Sequence, residues 1–255
     1  RPVGVLVCGV LLACSAPTPE SASPQMNYRE KVDDYVSFKL EADTSALSEN
    51  QRKMLPLLIE AARMMDGLFW RQAYGDREQL LSGIADPDAR RFAEINYGPW
   101  DRLGDNAPFL DGVGAKPAGA QFYPADMTKE EFEAAAKSDE SLRSLYNFVR
   151  RADDGRLVAE PYAEVFQPEL EKTAGLLRQA AELADDPGFK KYLELRAEAL
   201  VSDNYQPSDF AWMEMKDNDL DIVIGPIETY EDQLFGYKAA FEAYVLIKDL
   251  DWSAR

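Results

Sequence analysis

Residues 217–242 read DNDLDIVIGPIETYEDQLFGYKAAFE. Within them Leu220 to Ile224 is the one run whose β-branched residues and alternation favour a strand, ended by Gly225-Pro226. A single strand cannot stand alone, so its partner is Arg156 to Val158, a similar short run, or chain outside this sequence. Most of the remainder is written in helical spacing. From Ser48 to Tyr74 the apolar positions Met54, Leu57, Leu58, Ala61, Ala62, Met65, Leu68 and Phe69 recur at three-four spacing. Ser48 with Gln51 offers a capping box, Gly75 a stop, and Pro56 sits in the first turns or kinks them. Asp86-Pro87 and Asp186-Pro187 each place an N-cap before a proline at the first helical position, opening helices to Ile95 and to Leu200 or Val201. Thr128 with Glu131 is a second capping box, and the spacing predicts helices over Asp139 to Arg151, Pro161 to Ala184 and Leu234 to Asp249. The expected fold is mainly α with a small β component (α+β).

Between Gly98 and Asp126 the character changes. Gly and Pro are frequent there, yet Trp100, Phe109, Phe122 and Tyr123 are too large and apolar for a linker. The segment is either an ordered strap across the surface or a functional loop.

Composition narrows the chemistry. The 255 residues carry Lys+Arg 28 against Asp+Glu 46, a formal net charge of −18, which repels phosphate backbones and argues against nucleic acid as a partner. There is no histidine. This stretch alone therefore holds no Ser-His-Asp triad, Cys-His dyad or histidine-ligated zinc.

The first residues read as an address. Arg1 precedes an apolar run from Val3 to Leu12, too short to span a bilayer, and Leu11-Leu12-Ala13-Cys14 resembles a bacterial lipobox. Residues 1–14 are then a lipoprotein signal peptide with Cys14 the lipidated residue, 15–27 a flexible Ser/Pro/Ala tether, and 28–255 the folded domain. Ser15 rather than Asp after the cysteine favours the outer membrane, on its periplasmic face. The only cysteines, Cys8 and Cys14, lie in that segment, so the domain is expected to rely on its core rather than on disulfides. The start at Arg1 and the stop at Arg255, inside an expected helix with no cap, suggest a piece of a longer protein.

Polar function concentrates around the strand. Asp217, Asp219 and Asp221 alternate and share a face if the strand starts early. Asp217, Asp219, Asp221, Ile224 and Glu228 also fall on EF-hand loop positions, but Ile222 occupies the position that needs glycine. Paired-carboxylate catalysis and a solvated acidic face are further readings. Another is electrostatic capture of a cationic group, such as a peptide's α-amine at a strand edge.

The segment Ser202 to Asp249 resembles the dipeptidyl peptidase III family of zinc metallopeptidases. It is most like the bacterial branch and the related domain fused to some plant nudix hydrolases. The carrying residues are Ser208-Asp209 with Ala211-Trp212-Met213, then residues 224–232 (IGPIETYED), Leu234 to Ala239, and Phe241-Glu242. Upstream, Asn96 to Trp100 and residues 119–127 (GAQFYPADM) are similar too. The resemblance implies the N-terminal portion of a two-lobed metallopeptidase that removes dipeptides from the N-terminus of oligopeptides. Its zinc would be held by an H-E-x-x-G-H helix and a downstream glutamate, none of which occurs here. It implies Asp221, with Glu228 and Tyr230, as substrate-binding residues, Asp221 matching the acid that holds the substrate amine. Where many members have a transition-state tyrosine this chain has Val223, so either another donor such as Tyr230 serves or specificity has changed. The alternative is a non-enzymatic acidic lipoprotein binding cationic peptides or calcium.

Overall fold

The computed structural model describes residues 26–249 and Trp252. The expected signal segment, Cys14 and nearly all of the tether lie outside them.

The chain opens with α1 (Tyr28–Asp33), α2 (Glu49–Ala73), α3 (Arg77–Gly83) and α4 (Pro87–Asn96). The predicted caps form. Ser48 and Gln51 bond reciprocally, Asp86 accepts from Asp88 and Ala89 with Pro87 in the first turn, and α2 runs unbroken through Pro56. The strap follows, with β1 (Trp100–Asp101) paired to β2 (Ala107–Pro108), and its aromatics Trp100, Phe109, Phe122 and Tyr123 are all buried. Then come α5 (Lys129–Ala136), a 3₁₀ turn (Glu140–Arg143), the hairpin β3 (Asn147–Arg151) and β4 (Leu157–Pro161), and α6 (Tyr162–Val165). Helices α7 (Gln167–Leu183), α8 (Pro187–Ser202) and α9 (Gln206–Glu214) lead to β5 (Leu220–Glu228) and β6 (Ala240–Ile247). The fold is mainly helical with a small β component.

One large core joins α2, α7 and α8 to the inner face of the β5–β6 hairpin. Tyr162, Phe166, Leu177, Leu193, Ile222, Ile224 and Phe241 are fully buried in it. A second cluster, Leu81, Ile84, Phe92, Ala93 and Phe109, gathers α3, α4 and the strap under α1.

Four segments depart from the sequence reading. Residues 139–151 are not a helix: Leu142 is buried in the 3₁₀ turn and the rest pairs with β4, so tertiary contacts override spacing. The helix expected over 161–184 is interrupted at Phe166, where α6 ends and α7 begins. The helix expected over 234–249 is instead a compact turn followed by β6, and β6, not Arg156 to Val158, pairs with β5. Finally β5 does not stop at Gly225-Pro226. Pro226 stands opposite Phe241, whose own amide turns away from β5 to the Gln72 side chain at 2.8 Å, so the ladder loses no donor there. Gly225 has φ +126, and a Cβ would lie 3.2 Å from the Tyr205 ring. Only glycine takes that conformation with the Tyr205 ring, at the start of α9, so close.

Candidate functional site

In an antiparallel pair, residues directly opposite share a face. The register therefore defines an outer face of Asp221, Val223 and Gly225 on β5 with Leu246, Tyr244 and Glu242 on β6. The opposite face, with Ile222, Ile224 and Phe241, is core. Strict alternation would send Glu228 inward. A bulge between Pro226 and Glu228 resets the count, so Glu228 pairs with Ala240 and emerges exposed on the outer face.

Helices α8 and α9 hold this hairpin from the far side of β5. Tyr192 donates its hydroxyl to the Ile222 carbonyl at 2.7 Å, and Arg196 reaches the Ile224 carbonyl while pairing with Asp209. That edge of β5 is thereby closed by side chains. Burial pushes the Tyr192 phenol up to about 12.

Asp221 is only 8% exposed although it lies on the outer face. The Trp212 indole donates to its Oδ1 at 3.0 Å, which fixes one carboxylate oxygen, and among the described residues no donor reaches Oδ2. Around it stand Trp212, Val223, Leu246 and Tyr244, each partly open to solvent. The result is an oriented acid in an apolar setting, able to accept from a cation while an aliphatic or aromatic group packs beside it. At the other end of the face Glu242 is raised above the usual carboxylate range, first by burial and then by the Glu228 charge. The Tyr244 hydroxyl donates to Glu242 at 3.1 Å.

The three residues expected to bind substrate do not converge. Asp221 and Glu228 share a face but stand seven positions apart along one strand, roughly 20 Å at the rise of an extended chain. Tyr230 lies in the turn beyond β5, 81% exposed. Tyr244, which the sequence reading placed in a helix, brings a phenol directly opposite Val223. Trp212 and Tyr244 were missed as site residues because one is set by packing across α9 and the other by strand register.

Three other acids of the stretch have other work. Asp219 accepts from the Gln51 side chain at 2.7 Å. Glu231 is buried in an ion cluster with Arg102 and Lys116, each at 2.7 Å, tying the strap to the turn after β5. Asp232 accepts from the Tyr123 hydroxyl and from the amides of Leu234, Phe235, Tyr237 and Lys238. The calcium reading fails on geometry, since Leu220 to Glu228 is extended and cannot wrap an ion. Among the described residues no three His, Cys, Asp or Glu side chains converge where they could hold a metal ion.

No family model matches the chain. It is 30% identical, across 88% of its length, to "Nudix hydrolase 3" of Arabidopsis thaliana, of which the match covers 37%. Among solved structures it is similar to dipeptidyl peptidase III from Caldithrix abyssi, with a TM-score of 0.84, 41% identity, and coverage of 89% of this chain and 45% of that one. It is also similar to dipeptidyl-peptidase III from Corallococcus sp. strain EGB, with a TM-score of 0.83, 36% identity, and coverage of 88% and 44%. The chain spans less than half the length of these relatives.

Proposed function

We propose, from the premise that this chain is related in sequence and fold to dipeptidyl peptidase III, that it forms one wall of the substrate cleft of a zinc-dependent exopeptidase. That enzyme would release dipeptides from the N-terminus of oligopeptides. The observation that carries the reading is the Asp221 carboxylate, held by Trp212 through one oxygen and offering the other on an apolar, partly open strand face. A peptide's α-ammonium would donate to Oδ2, and its first side chain would lie against Trp212, Val223 and Leu246. Glu228 and Tyr230 are too far along to touch the same ammonium, so any contact they make is with another part of the peptide.

Zinc, when bound by residues outside this chain, would polarise the scissile carbonyl and activate water. What this chain contributes is the grip and register of the peptide. Structural neighbours support the peptidase reading over the nudix one, since both are dipeptidyl peptidases at 36–41% identity.

The test is Asp221→Asn in the intact gene product, assayed for dipeptide release. A loss of the charged contact is expected to raise KM about tenfold or more, with zinc content unchanged. An unchanged KM removes Asp221 from the site. An intact product that binds peptides but carries no zinc would instead favour the acidic binding protein. The anchor is proposed separately: Cys14 would be lipidated and place the enzyme on the periplasmic face of the outer membrane. Cys14→Ser should release it from membranes, and persistence in the membrane fraction counts against that assignment.

A further inference from the structure

Arg196 of α8 is a charge in a place that disfavours one. It is 4% exposed, with its guanidinium over the Tyr192 and Tyr205 rings, 5.4 and 5.3 Å from their centroids. Nη2 pairs with Asp209 of α9, and Nη1 donates to the Ile224 carbonyl of β5 at 3.4 Å. Nε is buried and finds no acceptor among the described residues. A buried ion with an idle donor is no gain over a packed apolar side chain, so stability does not account for an arginine here. Its partner makes the case sharper, since half of the Asp209 side chain is exposed and water weakens the pair.

Geometry does account for it. Helix α9 has nine residues and no side-chain cap at its start, too short to hold itself in place. Its buried side chains, Ser208 and Ala211, are small, so packing keeps the helix close without fixing its rotation. Asp209 and Trp212 stand three positions apart on one side of it. Asp209 is tied through Arg196 to Ile224, and Trp212 is tied directly to Asp221. Those two points on β5 are also three residues apart, about 10 Å along an extended strand. Two attachments at that spacing set the angle of the helix against the strand. Among the described residues, Arg196 is the one side chain outside α9 and β5 that hydrogen-bonds to both.

We propose that Arg196 is a positioning residue for the peptide's amino end. Its planar fork spans α9 and β5, holds the Trp212 indole on Asp221 Oδ1 and so keeps Oδ2 turned to the open face. This role rests on the peptidase reading above, and Arg196 itself touches neither peptide nor zinc. Lysine would not replace it. An ammonium on a flexible stem can serve Asp209 or the Ile224 carbonyl, but it does not hold the two in one fixed geometry.

Steady-state dipeptide release by the intact gene product tests this. Arg196→Lys should raise KM about fivefold, with kcat and zinc content unchanged. Asp209→Asn, at a half-exposed position that tolerates the change, should raise KM in the same direction, and it carries the test if Arg196→Lys does not fold. The deciding readout combines each variant with Trp212→Phe. Because Arg196 acts through the indole, each double variant should keep a KM within about twofold of its larger single effect. Effects that multiply would mean that the arginine reaches the site by another route, and they overturn the proposal. A lower Tm with KM unchanged in both variants makes Arg196 a packing residue and also overturns it. An active parent with either of those outcomes sinks this role alone. A parent that releases no dipeptides sinks the peptidase reading and this role with it.

Discussion

The acids of residues 217–242 form two regions with opposite habits. On the outer face of β5–β6, Asp221 receives one donor from among the described residues and keeps an oxygen in reserve, and Glu228 is exposed. In the turn after β5, Glu231 and Asp232 are buried and saturated by two cations, a phenol and four amides. Composition treats these residues alike. The difference is whether the fold uses up a carboxylate's acceptor capacity, and a carboxylate with capacity left is the one available to a ligand.

The sharpest way to break this contrast is Asp232→Ala. It strips five donors of their acceptor in a dry site, at a cost of about 3–5 kcal/mol, or roughly 10 °C in Tm for a chain of this size. Denaturant melts check it. A stability within error of the parent would mean that the turn is not held by its carboxylate, and that the two regions do not differ in kind.

Much of this architecture is legible in the sequence because it is local. Ser48 with Gln51, Asp86-Pro87, Thr128 with Glu131 and Asp186-Pro187 mark helix starts through bonds spanning two or three residues. The hairpin halves β3 and β6 are not legible that way. Leu142, Leu145, Tyr146 and Val149 have helical spacing, yet Lys238 reaches across the chain to bond the carbonyls of Leu142 and Ser144. The Asp232 knot likewise turns residues 232–238 before a helix can start. Distant partners decide both segments, and a window of ten residues does not contain them. The site divides the same way. Asp221 is legible from the family string, whereas its Trp212 partner and the bulge that turns Glu228 outward belong to the packed molecule.

Lys238 offers the next test. Its fully buried ammonium donates to Leu142 O, Ser144 O and Asn147 Oδ1 at 2.6–2.8 Å, and burial pushes it down to about 7 against the pull of Asp232. Lys238→Met leaves those oxygens without a donor, at a cost of about 2–3 kcal/mol near neutrality. The sign of the pH effect follows from linkage. An unfolded lysine titrates near 10.4, so between about pH 7 and 10 the unfolded chain binds more protons and stability contributed by this group rises with pH. The parent-minus-variant difference in unfolding free energy should therefore grow from pH 7 to 9.5 and be flat below 7. A difference that stays flat over that window would show that the folded state keeps the ammonium charged.

The smallest effect lies on the outer face. Trp212→Phe keeps the aromatic body beside Asp221 and deletes only the indole donor, which sits at a partly exposed position. Because α9 is anchored by Ser208 and Ala211 instead, Tm should move by no more than about 2 °C. The free Oδ1 then competes with Oδ2 for the ammonium and the carboxylate can rotate, so KM for dipeptide release should rise a few-fold while kcat holds. If Trp212 were only part of the packing, stability would fall and KM would not follow. That outcome would place Asp221 with Asp232 among the scaffold acids, and the contrast between the two regions would disappear.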